Sequence, residues 1–313
     1  MKKIKTLFMG TSEFAVPVLE GLLEAEEIEV TGVITQPDRP AGRKQELKPS
    51  PLKEAVGRLN SKMALHQPER ISRFKKHIFE EIKPDLIIVA AYGQIIPGSI
   101  LEFPKFKCLN VHGSLLPVLR GAVPIHMAIL QGLEKTGNTL QIMSKKMDEG
   151  PIVSTREIQL EGKEYFSELF DKLAKLAKKQ IVEDISKWVR GELTPKDQDD
   201  SKATYCFMDD IKKEKAEITE GTSVIKAERM VRAFNLWPVA WFQLRESSNK
   251  GKRIKTFKSK LANLVINNVP DMALFENDGD LYLKLKDGVL LLEEIQLEGK
   301  QRREGKEYLY LID

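Results

Sequence analysis

Two polar residues about one third of the way along the chain have the types and spacing that catalysis at a carbonyl carbon needs. Asn110 and His112 lie two positions apart in the segment NVHGSLLP, which begins as a short apolar strand. Side chains two apart on a strand point to the same face, so both would reach a crevice at the end of that strand. There, an amide donor beside an imidazole can stabilise a developing oxyanion and move a proton.

Asp148, in the segment MDEG, could complete this group by orienting His112. Spacing alone leaves a second interpretation open, in which Asn110 and His112 are hydrogen-bonded core residues. Nucleophilic catalysis fits less well, because Ser114 is not part of a G-x-S-x-G turn and neither cysteine has an obvious histidine partner. A direct transfer without a covalent enzyme intermediate is the simpler chemistry.

The elements that must position these residues have the pattern of an α/β domain. Continuous apolar runs at 4–9, 28–35 and 85–91 predict strands of a sheet that is covered on both faces, hence a mostly parallel sheet. Further strands are predicted at 108–112, 139–143 and 152–158. Helices are predicted at 14–23, from Ser50 as N-cap with Pro51 in the first helical position, at 71–82, from Pro124 to about 133, and at 165–189.

Nucleotide-binding motifs are absent from the sequence. The turn after the first strand reads GTSEFA, with one glycine where the dinucleotide fingerprint G-x-G-x-x-G has three, and no G-x-x-x-x-G-K-[ST] segment occurs. The two cysteines, Cys108 and Cys206, match no metal-ligand spacing, and the chain has four histidines. We therefore expect no metal site and two buried, reduced cysteines.

A polar stretch at 193–203 has the composition of a linker between two domains, which we place at 1–203 and 204–313. Beyond it a helix is predicted at 223–234 and short strands at 239–244, 264–269, 281–285 and 289–295. Short strands that alternate with turn residues predict a small β-barrel or sandwich.

Positive charge is local rather than general, because 50 Lys and Arg residues against 46 Asp and Glu residues leave a net charge of only +4. The first basic segment is 36–53, a proline-rich loop without expected regular structure, which contains Arg39, Arg43 and Lys44. Two further clusters follow, and each could be a solvated turn or a contact for RNA phosphates. The clusters are Lys250, Lys252, Arg253, Lys255, Lys258 and Lys260, and Lys300, Arg302, Arg303 and Lys306.

Membrane association is not expected, because no apolar run approaches the ~18 residues that a membrane span needs. The first ten residues lack the longer apolar region of a secretory signal. We expect a cytoplasmic protein.

Segments along nearly the whole chain resemble folate-dependent formyltransferases. NVHGSLLPVLRGAVPI is similar to the signature of that superfamily. Other segments narrow the resemblance to the members that act on methionyl-tRNA: FMGTSEFAVPVL, TQPDRPAGRKQELKPSPLK, PDLIIVAAYGQIIP, ATYCFMDDI and VRAFNLWPVAWF.

The resemblance implies a Rossmann-like formyltransferase domain followed by a small OB-like β-barrel domain that binds tRNA. It implies formyl transfer from 10-formyltetrahydrofolate to the α-amino group of methionyl initiator tRNA, by a protein that we expect to be a monomer. The implied catalytic residues are Asn110, His112 and Asp148. We assign Asn110 and His112 to the formyl oxygen, with His112 also placed to protonate the leaving N10 or to move the proton. Asp148 would fix the tautomer of His112 and could accept the proton of the amine through water.

The resemblance also assigns binding residues. Ser114, Leu115, Leu116 and Pro117 match the folate-binding segment, and Arg43 matches the loop arginine that engages the tRNA acceptor end, with Arg39 and Lys44 beside it. Together with the resemblance, we take Lys250, Lys252, Arg253 and Lys255 as tRNA contacts.

Some residues depart from the family's usual sequence. Ser12 stands in place of a common proline, CFMDDI lacks the expected Pro-Lys, and Lys146, Met147 and Glu149 replace the usual neighbours of Asp148, which adds charge there.

Two other functions are compatible with parts of the sequence. A formyltransferase for a small amine or a sugar nucleotide would explain NVHGSLLP equally well but would leave the basic loop and the second domain without a task. A non-catalytic RNA-binding module would bind RNA without folate or turnover, against which the presence of Asn110, His112 and Asp148 argues.

Overall fold

The computed structural model describes residues 3–42, 45–59, 63–245 and 249–312. Two of the predicted tRNA contacts, Arg43 and Lys44, lie outside the described residues. The chain divides into two compact units, and each unit collects more than one segment of the chain. The first contains residues 1–121, 135–158 and 170–205, and the second contains residues 122–134, 159–169 and 206–313.

Regular structure accounts for most of the described chain. The strands are β1 (Ile4–Gly10), β2 (Ile28–Ile34), β3 (Arg39–Ala41), β4 (Glu46–Lys48), β5 (Leu65–His66), β6 (Leu86–Ala90), β7 (Cys108–His112), β8 (Arg120–Gly121), β9 (Lys135–Ile142), β10 (Ile152–Gln159), β11 (Tyr205–Cys206), β12 (Ala240–Gln243), β13 (Arg253–Ala262), β14 (Leu274–Asn277), β15 (Asp280–Leu285), β16 (Gly288–Leu297) and β17 (Arg303–Glu304). The α-helices are α1 (Ala15–Glu24), α2 (Pro51–Leu59), α3 (Ile71–His77), α4 (Gly98–Leu101), α5 (Pro124–Gln131), α6 (Phe166–Val189) and α7 (Val224–Ala233).

The first unit is organised by a seven-stranded sheet in the order β10-β9-β7-β6-β1-β2-β5. The pairs β1–β2, β1–β6, β2–β5 and β6–β7 are parallel, whereas β7–β9 is antiparallel. Every residue of β6 is buried, as expected for a strand covered on both faces. The predicted mostly parallel α/β sheet is therefore confirmed.

Helix ends follow the local sequence signals. Ser50 caps α2, since its hydroxyl accepts a hydrogen bond from the amide of Lys53 at 3.1 Å, and Pro51 occupies the first helical position as predicted. The helix predicted at 71–82 is α-helical only to His77, after which residues Ile78–Ile82 form a π-helical turn.

The proline-rich segment 36–53 contains regular structure, contrary to the prediction. β3 and β4 form an antiparallel pair with Arg39 opposite Lys48. A two-stranded sheet has no central strand, so a proline costs it little. Asp38 accepts hydrogen bonds from Lys53 and Gln67, and the bond from Lys53 is the main cause that lowers the pKa of Asp38.

The second unit contains an antiparallel sheet in the order β12-β13-β16-β15-β14, with β17 paired to β16. Antiparallel strands confirm the predicted class of this part of the chain, and the barrel closure stays a prediction. The prediction of a strand at 264–269 is wrong, because these residues form no strand. Their apolar side chains Leu264, Ile266 and Val269 instead pack against a cluster that contains Phe275 and Tyr282.

β13 was missed because its lysines suggested a solvated turn. Its buried residues alternate with exposed ones, with Ile254 and Thr256 fully buried and Lys255 exposed between them. That period of two is the signal of a strand with one face inward.

The polar stretch 193–203 is not a free linker. Ile152 and Lys196 exchange backbone hydrogen bonds of 2.8 and 2.9 Å, which attach this stretch to the start of β10. Two of its polar residues, Gln198 and Asp200, accept hydrogen bonds from Arg120.

Cys108 and Cys206 are both buried and are not joined in a disulfide, and burial raises the pKa of the Cys108 thiol. Among the described residues, no cluster of three His, Cys, Asp or Glu side chains could hold a metal ion. No helix in the described part of the chain is both long and apolar enough to cross a membrane.

The close approach of β9 to the neighbouring backbone predicts a glycine requirement at position 137. A Cβ there would collide with the carbonyl oxygen of Arg156, so Gly137→Ala should lower the free energy of unfolding by about 1–3 kcal/mol. Gly57, in α2, faces open space, since a Cβ added there would have no atom within 4 Å. Gly57→Ala is the control and should be stabilising by about 0.5–1 kcal/mol. Urea denaturation of both variants tests this, and equal effects would contradict it.

Candidate active site

β7 ends at the site and supplies two of its side chains. Leu109 and Val111 point to one face of the sheet and are buried, whereas Asn110 and His112 point to the other. Asn110 is half-buried, and His112 is 6% exposed. The predicted pair therefore lies on one face at the end of a central strand, where ligands of open α/β sheets bind.

A backbone carbonyl determines the tautomer of His112. The ring nitrogen Nε2 lies 2.9 Å from the carbonyl oxygen of Leu119. A carbonyl can only accept, so Nε2 carries the hydrogen and Nδ1 of the neutral ring is unprotonated. The backbone amide of Leu119 donates to the hydroxyl of Thr204 at 2.8 Å, and this bond helps to hold Leu119 in place. This differs from the expectation that Asp148 fixes the tautomer.

Asp148 faces the other nitrogen of the ring. Its Oδ2 lies 3.6 Å from Nδ1 of His112, which is close enough for an ion pair but too long for a hydrogen bond to the neutral ring. Asn110 Nδ2 approaches Oδ1 of Asp148 at 3.5 Å, so the structure brings all three predicted catalytic residues together.

Two donors that the sequence did not reveal hold the Asp148 carboxylate. The side chain of Gln141 donates to Oδ1 at 2.7 Å, and the backbone amide of Gly121 donates to Oδ2 at 2.9 Å. Gln141 is on β9, directly opposite Asn110 in the antiparallel pair with β7. The sequence feature that could have drawn attention to Gln141 is its amide side chain within the otherwise apolar run TLQIM.

The other end of the Gln141 amide is an acceptor beside the site. Its Oε1 is buried and has no hydrogen-bond partner among the described residues. An unpaired buried acceptor costs free energy, so a substrate N–H that reached it would gain a full hydrogen bond.

The backbone at Asp148 is unusual for a residue with a side chain. Its φ is +56°, in the left-handed region that favours glycine. Two residues later, a Cβ on Gly150 would collide with the carbonyl oxygen of Ile142. The turn is therefore fixed by its surroundings rather than by local preference.

A buried arginine lies behind this turn. Arg120 is 1% exposed, and its guanidinium donates to Gln198 Oε1, to Asp200 at 2.6 Å and to the Tyr205 hydroxyl at 3.1 Å. Gln198 in turn donates to the carbonyl of Asp148. The stretch predicted to be a linker thus contributes directly to the support of the site.

The charged residues that depart from the family pattern are largely paired with one another. Lys146 Nζ lies 3.1 Å from Glu149, and this contact is the main cause that raises the pKa of Lys146. Glu149 also lies 4.0 Å from Arg120. Met147, between them, is half exposed. The added charges therefore leave Asp148 with its amide donors.

The predicted folate segment is held by β9. Thr139 Oγ1 donates to the Ser114 carbonyl at 2.7 Å and accepts from the Leu116 amide at 3.1 Å. The Ser114 hydroxyl donates to the carbonyl of Val118 at 2.6 Å and is almost fully buried. Ser114 therefore shapes the loop with its side chain, whereas Leu115 and Pro117 are half-buried at its surface.

The predicted tRNA contacts that the structure describes differ in their partners. Arg39 forms an exposed ion pair with Glu69 at 2.9 Å, and Arg253 pairs with Glu298 at 3.1 Å. Lys252 donates to the side chain of Asn249. Lys250 and Lys255 form no ion pair with any described residue.

Position on β13 explains which lysines of this cluster are paired. Lys255 is opposite Gln296 on β16, whereas Lys258 is opposite Glu294. Lys258 and Lys260 form ion pairs with Glu294 and Glu293 at 3.9 and 2.5 Å. The uncompensated charge of the cluster therefore lies at its beginning.

Sequence families and relatives match the chain along its length. A model described as formyl transferase matches residues 2–185, and one described as formyl transferase, C-terminal domain, matches residues 210–310. Methionyl-tRNA formyltransferase of Bacillus subtilis (strain 168) is 38% identical over 308 residues, 97% of this chain and 94% of that protein. The protein of that name from Hydrogenobaculum sp. (strain Y04AAS1) is 41% identical over 311 residues, 97% of this chain and 96% of that protein.

Solved structures share the fold at low sequence identity. An N-formyltransferase from Helicobacter canadensis in complex with folinic acid and dTDP-3-aminofucose matches with a TM-score of 0.65 and 18% identity, over 96% of this chain and 100% of that one. HypX from Aquifex aeolicus in complex with tetrahydrofolic acid matches with a TM-score of 0.64 and 17% identity, over 98% of this chain. The chain spans about half the length of HypX, 47%.

The contact with the Leu119 carbonyl predicts the protonation pattern of His112. When its ring is neutral, His112 should carry its hydrogen on Nε2. A two-bond ¹H–¹⁵N correlation spectrum distinguishes the tautomers, and the signals that disappear in His112→Gln identify the residue. A hydrogen on Nδ1 would contradict the structure.

Proposed function

The chain belongs to the formyl transferase family, and we propose that it transfers the formyl group of 10-formyltetrahydrofolate to the α-amino group of methionyl initiator tRNA. The product is N-formylmethionyl-tRNA, used for translation initiation in the cytoplasm. The observation that carries this conclusion is the identity of 38% and 41% to methionyl-tRNA formyltransferases across both parts of the chain.

The alternative of a sugar-nucleotide formyltransferase has weaker support. The Helicobacter canadensis enzyme shares 18% identity, which indicates the fold but not the substrate. The full-length similarity to tRNA-acting relatives includes the C-terminal part, which the alternative leaves without a task.

Asn110 is the residue we assign to the developing negative charge. Attack of the amine on the formyl carbon gives a tetrahedral intermediate with an oxyanion. The Asn110 amide is half-buried, and its contact to Asp148 at 3.5 Å is long, so an N–H is available to that oxygen. A fixed donor of this kind contributes about 2.7–4 kcal/mol to the transition state.

His112 is the residue we assign to the proton. Its Nε2 is bound to the Leu119 carbonyl, so Nδ1 takes the proton from the attacking amine. Asp148, 3.6 Å away, stabilises the imidazolium that forms. Nδ1 then returns the proton to N10 as the bond between the formyl carbon and N10 breaks. Tetrahydrofolate leaves, and no covalent bond to the protein is needed.

The remaining assignments complete the proposal. Residues 1–203 form the catalytic domain. Residues 204–313 form a second domain, an OB-like barrel that binds tRNA. The protein acts as a monomer. Ser114, Leu115, Leu116 and Pro117 form the folate loop. The tRNA contacts are Arg39, Arg43, Lys44, Lys250, Lys252, Arg253 and Lys255.

Formylation of methionyl initiator tRNA with 10-formyltetrahydrofolate tests the function, and a panel of small amines and amino-sugar nucleotides tests the alternative. In single turnover, His112→Gln should reduce the rate by about 10²–10⁴-fold, because a glutamine side chain cannot take the proton from the attacking amine. His77→Gln is the control, since His77 contacts Glu81 at the surface.

Two results would contradict these assignments. Formylation of a small amine but not of the tRNA would overturn the substrate, and a near-normal single-turnover rate in His112→Gln would overturn the role of His112.

The uncompensated lysines predict a salt-dependent interaction with tRNA. Replacing Lys250 and Lys255 by Gln should raise KM for tRNA and flatten the slope of log KM against log salt by roughly 1–2, since each phosphate contact contributes about 0.7–0.9. Lys258 and Lys260 give a matched control, because their replacement changes the net charge equally but removes lysines that are already ion-paired. Equal effects of the two double variants would show a general charge effect and overturn the contact.

A further inference from the structure

We propose that Gln198 is a positioning residue for catalysis, which fixes the backbone of Asp148 through its side-chain amide. This inference rests on the proposed function for its kinetic readout. Gln198 Nε2 donates to the carbonyl of Asp148 and to that of Gly150, both at 2.7 Å. The two carbonyls flank the turn from which the Asp148 side chain reaches His112.

The orientation of the Gln198 amide is determined by its partners at both ends. Oε1 accepts from Nε and Nη2 of Arg120 at 3.0 and 2.9 Å. Reversal of the amide would place its oxygen against two carbonyls and its NH₂ group against a guanidinium. Both ends would then be repulsive, so one orientation is strongly favoured.

The turn needs such an external constraint. Asp148 adopts a φ of +56°, which costs a residue with a Cβ free energy that the surroundings must supply. Its carboxylate nevertheless has to meet Gln141, the Gly121 amide and Nδ1 of His112 at once. A shift of about 1 Å in a catalytic group can cost about a hundredfold in rate.

Arg120 makes the constraint rigid. Its guanidinium is 1% exposed and is held by Asp200 and by the Tyr205 hydroxyl as well as by Gln198. Gln198 thus connects a fixed buried cation to the backbone of the catalytic turn, without itself reaching the predicted reaction centre.

Three variants separate positioning from general stability. Gln198→Ala should lower kcat about tenfold to a hundredfold with KM for tRNA changed by less than about twofold. Gln198→Glu should be impaired to a similar degree at neutral pH, because an ionised carboxylate keeps the contact with Arg120 but cannot donate to the two carbonyls. Asp199→Ala is the control, since Asp199 bonds to Ser201 and Lys202 in the same stretch, and it should keep the kcat of the unmodified protein.

A double-mutant cycle with Asp148→Asn distinguishes an effect of Gln198 on Asp148 from a general effect on stability. If Gln198 acts through Asp148, Gln198→Ala should reduce kcat by less than about twofold in the Asp148→Asn background. Independent, multiplicative effects would overturn the proposal, and so would a normal kcat in Gln198→Glu.

Crystal structures separate this inference from the proposed function. In Gln198→Ala and Gln198→Glu, the backbone of Asp148 should leave the left-handed region or the Asp148 carboxylate should lose its contact with Gln141. An unchanged turn in both variants would overturn the positioning role. Failure of the unmodified protein to formylate methionyl-tRNA would overturn the function alone, because the structural comparison needs no substrate.

Discussion

The arrangement of the site depends on one buried cation. A guanidinium removed from water must be surrounded by acceptors, and for Arg120 these lie about 80 residues further along the chain. Gln198 and Asp200 belong to the polar stretch 193–203, and Tyr205 follows it. This requirement brings the stretch 193–203 to the end of the sheet. Gln198 then donates to the backbone carbonyl of Asp148, so the demand of one buried charge is transmitted to the turn that carries this carboxylate.

Backbone groups, rather than side chains alone, hold the three proposed catalytic residues in place. The pleat of β7 places Asn110 and His112 on one face, the Leu119 carbonyl binds one nitrogen of His112, and the Gly121 amide binds Asp148. Because the ring and the carboxylate are each held by separate backbone groups, they can face each other at 3.6 Å without a hydrogen bond between them. Such a pair can accept a proton with little rearrangement, which is the property that preorganised sites require.

Local signals explain what the sequence could predict and what it could not. The strand 108–112 and the Ser50 cap follow from short apolar and capping patterns, and both occur in the structure. β13 was missed because a strand with lysines on its exposed face has the charge of a surface turn, and the apolar run 264–269 packs without strand hydrogen bonds. Gln141 and Gln198 were missed for another reason: their importance arises from contacts between distant segments, which leave no local pattern.

The turn around Asp148 also divides neighbouring positions by how freely they can change. Gly150 has no room for a side chain, whereas Met147 is half exposed and Lys146 pairs with Glu149 at the rim. Mutation can therefore exchange the charges beside the carboxylate while the path of the backbone stays constant. In evolutionary terms, the charges around this carboxylate can drift without any change in where the carboxylate is presented.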